Sequence, residues 1–270
     1  MLSLPEWRHF LLHLLVTICY YQNINKKKPV TDTNRQPKEV EGTRMNKVWS
    51  GWNRFEIGWL ALFTSIAVVL TVLMKDSLFG FTVFITGVLC VVLAAKGNLM
   101  SYVFGMYNTL GYAYLSYANG LFGEVMLNLL FFVPMNVIGF YMWKKNTQES
   151  GKLTMRKMRL QGLLTVAAIC ILGSVLLGFG LSFIPGQNSP YIDAMTTVLS
   201  VVATLLMVRR FKEQWLVYIV LNVFTVLLWV IRMADGSQEA LLMIVMWGAY
   251  LVNAVYGYYN WSKGAREVLA

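Results

Sequence analysis

Between Asp76 and Lys96 the chain runs for nineteen residues without a charge, and comparable apolar runs recur to its end. The hydrocarbon core of a bilayer is about 30 Å thick and a helix rises about 1.5 Å per residue, so such a run reads as a membrane-crossing helix. The runs are continuous, neither alternating nor heptad-spaced. Breaks at charges, Gly/Asn pairs and Pro place eight helices near 55–74, 78–95, 99–118, 122–143, 160–183, 191–208, 214–231 and 239–260. The fold class is therefore all-α integral membrane. Only 13% of the residues are charged, against about a quarter in soluble domains, which leaves no room for a large soluble domain.

Charge supplies an independent check. If eight helices alternate across the membrane, 21 of the 23 Lys and Arg fall on one side, and only Lys75 and Arg232 on the other. That asymmetry follows the positive-inside rule, with both termini cytoplasmic in the cell's inner (plasma) membrane. A miscounted helix would have scrambled it. The net charge of +10 thus orients the chain in lipid and calls for no nucleic-acid partner.

The domain plan has three parts: a cytoplasmic amino-terminal segment 1–54, a transmembrane domain 55–261, and a short cytoplasmic tail 262–270. The first contains an amphipathic stretch from Trp7 to Tyr21. Its His9 and His13 fit headgroup level better than a metal. Cys19, Cys90 and Cys170 are odd in number and lack CxxC spacing, so neither disulfide frame nor metal centre is expected.

Two parts of the transmembrane domain echo each other. Thr86 to Val92 resembles Thr196 to Val202, Lys96 and Asn108 resemble Arg210 and Asn222, and Gly139 to Trp143 resembles Gly257 to Trp261. Repeat one (78–143) and repeat two (191–261) are then separated by a linker helix, 160–183. One linking helix keeps both repeats in the same orientation. This 3+1+3 parallel-repeat core, with a helix added in front, is SWEET-like, and such carriers bind near the midplane between repeats.

Polar residues at that depth are informative because they are costly unless satisfied. Asn108 and Asn222 lie nine to ten residues into their helices. An amide offers two donors and an acceptor, which suits sugar hydroxyls or a carboxamide. Asn128, Asn136 and Asn253 are weaker candidates, as is Thr197. Phe104, Tyr107, Trp215, Tyr218, Trp247 and Tyr250 lie beside the amides or deep in the spans. Flat rings flanking an amide make a slot for a planar base, and a cationic one gains about 0.5–2 kcal/mol from cation–π attraction.

Between the helix ends there is no Lys, Arg or Glu, and Asp193 is the only carboxylate even slightly inside a span. A proton-coupled carrier usually keeps an ionisable relay at depth. No GxxxxGK[ST], HExxH or nucleophile constellation is present either. The expectation is a carrier without cofactor or catalytic group, working by facilitated diffusion on an uncharged or cationic solute. A receptor or scaffold would want a soluble output domain or a long partner-binding tail. A membrane enzyme would want clustered His, Asp or Glu.

The pattern resembles the PnuC family of vitamin transporters, whose best-known substrate is nicotinamide riboside. The resemblance spans roughly 50–263. It rests on Trp-Asn-Arg-Phe-Glu at 52–56, Phe104-x3-Asn108, Asn119-Gly120, Trp215-x2-Tyr218-x3-Asn222, and the Gly-aromatic-Tyr-x-Trp endings at 139–143 and 257–261. It implies a homotrimer and uncoupled import of the riboside, trapped by cytoplasmic phosphorylation. Family members often have Trp where this chain has Phe104 and Tyr218, and relatives with the same core serve thiamine or riboflavin. A phosphorylated nucleotide would want Arg or Lys in the pocket.

Overall fold

The computed structural model describes residues 52–73, 78–118, 122–148, 153–183, 190–234 and 240–269. The amphipathic stretch with His9, His13 and Cys19 lies outside the described residues, and so does nearly all of the segment expected over 1–54. Among the described residues there are only helices and two isolated β-bridges. They are α1 (Arg54–Leu73), α2 (Leu78–Ala95), α3 (Met100–Ala118), α4 (Phe122–Leu127), α5 (Val133–Lys145), α6 (Leu160–Leu181), α7 (Pro190–Val208), α8 (Gln214–Ala234) and α9 (Ala240–Leu269). A π-helical turn, Asn128–Phe132, fuses α4 and α5 into one rod. Eight helical rods result, matching the sequence expectation in number and place.

Among the described residues, five stretches are long and apolar enough to cross a membrane by length and composition: α2, residues 125–145, α6, α7 and residues 214–231. The helix α3 is less apolar because Tyr102, Tyr107, Tyr112, Tyr114 and Tyr117 share it with Asn108. Two boundaries differ from expectation. The chain past 260 continues α9 through Leu269 instead of forming a tail, since Ser262 to Leu269 contains no Pro and a lone Gly is tolerated in a helix. The rod over 122–145 is not uniform. Val133 N–H bonds to the Asn128 carbonyl five residues back, and Pro134 follows with no N–H to continue the regular ladder.

The rods pack in sequence order: α1 on α2, α2 on α3, α3 on α5, then α6 on α7, α7 on α8 and α8 on α9. Two contacts cross between these groups, α5 on α7 and α9 on α2. Both crossings are fixed by tryptophans. Trp143 Nε1 donates to the Met207 carbonyl at 2.9 Å, and Trp261 Nε1 donates to the Ala94 carbonyl at 3.0 Å. Both rings are fully buried and lie 5.5 Å apart. The carboxyl ends of α2, α5 and α7 and the far part of α9 therefore meet at one face.

The turns leaving α2 and α7 there have the same form. Gly97 N–H bonds to Ala94 O and Asn98 N–H to Leu93 O; Arg210 N–H bonds to Met207 O and Phe211 N–H to Leu206 O. Gly97 has φ 69° and Arg210 has φ 65°. This is the paired-bond C-cap in which a left-handed residue ends the helix. Counting from these turns pairs Lys96 with Arg209, not Arg210, and Asn108 with Leu221, not Asn222. The apolar echo between 86–92 and 196–202 is three residues out of the same register. Apolar residues on packed helices match at many shifts, whereas a left-handed turn has only one position.

The motif at 52–56 has a physical account. Asn53 and Glu56 form a capping box, with Glu56 N–H to Asn53 Oδ1 at 2.8 Å and Asn53 N–H to Glu56 Oε2 at 2.9 Å. Glu56, nearly buried, also accepts from Lys96 Nζ at 2.8 Å and from the Tyr256 hydroxyl at 2.8 Å. The start of α1 is thereby tied to α2 and α9. At the other turn Arg156 N–H bonds to Arg210 O and Lys212 N–H to Arg156 O. Burial first, and Arg156 second, hold the Arg210 guanidinium below its usual pKa.

Candidate binding site

A cavity of about 250 Å³ lies between α3, the π turn, α5, α7 and α8. It is close to the lower end of the range for small-molecule sites. The helix α2 contributes Cys90; α3 contributes Tyr102, Gly105, Asn108 and Thr109; the π turn and α5 contribute Asn128, Phe132, Met135 and Asn136. Thr204 and Met207 of α7 and Tyr218 of α8 close it. No lining residue is ionised at neutral pH. What remains is amides, hydroxyls and rings.

Each wall has a local cause. Gly105 keeps the space open: a Cβ there would lie 2.7 Å from Asn136 Oδ1 and 3.1 Å from Cys90 Sγ. Gly139 lets Tyr102 lie flat against α5, since a Cβ would fall among the ring atoms. Gly87 lets the Asn108 amide pass over α2, where Nδ2 donates to the Val83 carbonyl at 2.8 Å. Asn136 Nδ2 donates to Phe132 O at 2.9 Å and to Thr109 Oγ1 at 3.2 Å. Thr204 gives its proton to Ser200 O. The Tyr102 hydroxyl, in a residue only 3% exposed, has no partner among the described residues.

Of the twelve residues read from the sequence, Asn108, Asn128, Asn136 and Tyr218 line this cavity. The other eight do not line it. Asn253 is buried and donates to the Val91 carbonyl at 3.3 Å. Asn222 is buried one helical turn beyond Tyr218 on the same face of α8. Trp215 is buried against Gly257, Trp261 and Tyr218, with ring centroids 5.8 Å apart in the last pair. Tyr107 is buried and shares a 2.9 Å hydrogen bond with Thr82. Phe104 and Thr197 are half-buried outside the lining, and Trp247 and Tyr250 meet edge to face on α9. Tyr102, Gly105, Thr109, Phe132 and Thr204 went unread. Tyr102 is one of five tyrosines on α3, and only its spacing from Gly105 distinguishes it.

The chain is similar to known proteins. The nicotinamide mononucleotide transporter family matches residues 77–263. The chain belongs to that family. It is 37% identical to a nicotinamide riboside transporter PnuC of Neisseria mucosa, over 84% of this chain and 90% of that one. The corresponding transporter of Haemophilus influenzae is 36% identical, over 79% and 92% respectively. A crystal structure of the vitamin B3 transporter PnuC is 34% identical and superimposes with a TM-score of 0.68, covering 85% of this chain and 99% of its own. The chain is thus a multi-pass membrane protein of a transporter family, and its cavity sits within the matched region.

Proposed function

We propose that the chain imports nicotinamide riboside by facilitated diffusion, with cytoplasmic phosphorylation of the riboside trapping it. One observation carries the reading: a cavity of suitable size lined by amides, hydroxyls and rings and by no charge, in a chain whose relatives are nicotinamide riboside transporters. The riboside's ring is cationic and flat, its sugar rich in hydroxyls. Aromatic faces attract the first, and amides bind the second. The family description speaks of the mononucleotide, but a phosphate would want Arg or Lys, which the lining lacks. The site therefore fits the dephosphorylated form. The carrier acts without a catalytic group.

The proposed architecture is the 3+1+3 parallel repeat, α2–α5 and α7–α9 around α6, with α1 in front. The matched turns at Gly97 and Arg210 and the reciprocal tryptophan bonds support it. The basic residues that gather at the shared face support a cytoplasmic assignment for it, with both termini on that side. The helix α6 exposes Leu164, Ile171, Leu172, Leu176 and Phe179, surface for lipid and for the neighbours of a homotrimer.

Isothermal titration of the purified chain with nicotinamide riboside, thiamine and riboflavin tests the substrate. Binding should be confined to the riboside; tighter binding of thiamine or riboflavin would reassign the carrier to that vitamin. Uptake into proteoliposomes should saturate and ignore ionophores. Collapse with the proton gradient would rule out facilitated diffusion, and binding without uptake would leave a receptor.

A further inference from the structure

The geometry points to Asn136 as the residue that selects a carboxamide over a carboxylate on the substrate's ring. This rests on the proposal above that the cavity takes an aromatic riboside. Both amide protons of Asn136 are committed, one to Phe132 O and one to Thr109 Oγ1. Flipping the amide would set its oxygen against the Phe132 carbonyl, so the orientation is locked. The remaining atom, Oδ1, stands over Gly105, itself part of the lining. No hydrogen bond among the described residues engages it. It is an acceptor held in place, open to the cavity, and unable to become a donor.

A sugar hydroxyl both donates and accepts, so a fixed acceptor can bind it but does not discriminate by it. Such an acceptor is decisive for a carboxamide, whose N–H groups only donate. A carboxylate in the same place presents oxygen to oxygen and carries a negative charge into a cavity without a cation. Sites built around one such bond reject the analogue lacking it by large factors. The neighbouring lining adds to this bias. The Thr204 hydroxyl gives its proton to Ser200 O and also meets the Tyr218 hydroxyl, so it has no free proton for a carboxylate. Phe132, whose carbonyl holds the amide, belongs to the lining as well, beside where a flat ring carrying the carboxamide would lie.

The test is competition binding to the purified full chain with nicotinamide riboside and its acid counterpart, nicotinic acid riboside. The wild type should prefer the carboxamide by about a hundredfold or more. Asn136→Leu should bring that ratio close to one, chiefly by weakening the carboxamide. Asn136→Ala removes the same acceptor without adding bulk over Gly105, so its ratio should also fall close to one. A ratio unmoved in Asn136→Leu would overturn the assignment; if that variant does not fold, a ratio unmoved in Asn136→Ala would overturn it. A wild type that binds the riboside but treats the two compounds alike overturns it as well. A wild type that binds neither would instead sink the underlying reading of the cavity.

Discussion

The two halves of the membrane domain agree at their ends and disagree in their middles. Five residues past the turn stand Tyr102 in one half and Trp215 in the other, both buried aromatic rings. Each lies over a glycine, Gly139 or Gly257, where a Cβ would strike the ring. Eight residues past the turn, however, the counterparts are Gly105 and Tyr218, and eleven past it Asn108 and Leu221. Seven residues before the tryptophans stand Asn136 and Ala254. One half presents a void walled by amides; the other presents a ring backed by apolar packing. The turns and tryptophans hold the helices at a fixed spacing, so both halves need the same residues there. The proposed riboside has a polar end and a flat end, and a lining that fits it needs different residues in the two halves.

The sharpest way to break this contrast is to give the first half the bulk of the second. Gly105→Val places carbon where Asn136 Oδ1 and Cys90 Sγ already stand. It should abolish riboside binding, a loss above a hundredfold in Kd by titration, while the protein still elutes as the wild-type oligomer. Binding within tenfold of wild type would mean that the solute does not enter the space over Gly105.

The reverse experiment removes the ring from the second half. Tyr218→Ala deletes one aromatic face of the cavity, and a ring contact is worth about 0.5–1.5 kcal/mol beyond its buried area. The area term brings the expected weakening to about tenfold or more, read by the same titration. Tyr218→Phe should keep most of the affinity. Equal losses in the two variants would shift the role from the ring to the hydroxyl.

The agreeing ends yield a matched pair. Trp143→Phe and Trp261→Phe each remove one buried hydrogen bond to a helix-end carbonyl, worth about 1 kcal/mol. Both should lower thermal stability in detergent by similar amounts and leave riboside affinity alone. A large difference between them would show that the two crossings, α5 on α7 and α9 on α2, are not mechanically alike.

How much of this was legible follows from the same contrast. Long apolar runs and the one-sided basic residues gave the helix number and places, because lipid tolerates few alternatives. The Trp endings at 143 and 261 were visible as a matching pair, though not that each bonds to the opposite half. The register expected for the proposed repeat is one residue off the turns at Asn108 and Asn222, since the left-handed turns are written as Gly in one half and Arg in the other. The lining was half legible. Asn108, Asn128 and Tyr218 stood out as polar or aromatic at depth, whereas Gly105 contributes by what it lacks. The locked amide of Asn136 depends on the π turn before Pro134, a backbone irregularity that composition does not announce.

The smallest expected effect bears on Tyr102, where the halves come closest to agreeing. Its ring, like that of Trp215, is a packing element over glycine, and it meets Trp143 edge to face with centroids 4.8 Å apart. Its hydroxyl belongs to the lining yet bonds to nothing among the described residues. A buried hydroxyl without a partner costs about 1–3 kcal/mol, so a purely structural Tyr would be better as Phe. Trp215 Nε1 has no partner among the described residues either, but it does not reach the cavity. If the Tyr102 hydroxyl waits for the solute, Tyr102→Phe should raise the melting temperature of the empty protein slightly and weaken riboside binding by a few fold. Both changes have one cause, the removal of a group satisfied only when the cavity is filled. A variant that melts higher and binds as well as wild type would make Tyr102 a strut like Trp215, and leave the substrate's hydrogen bonds to the amides alone.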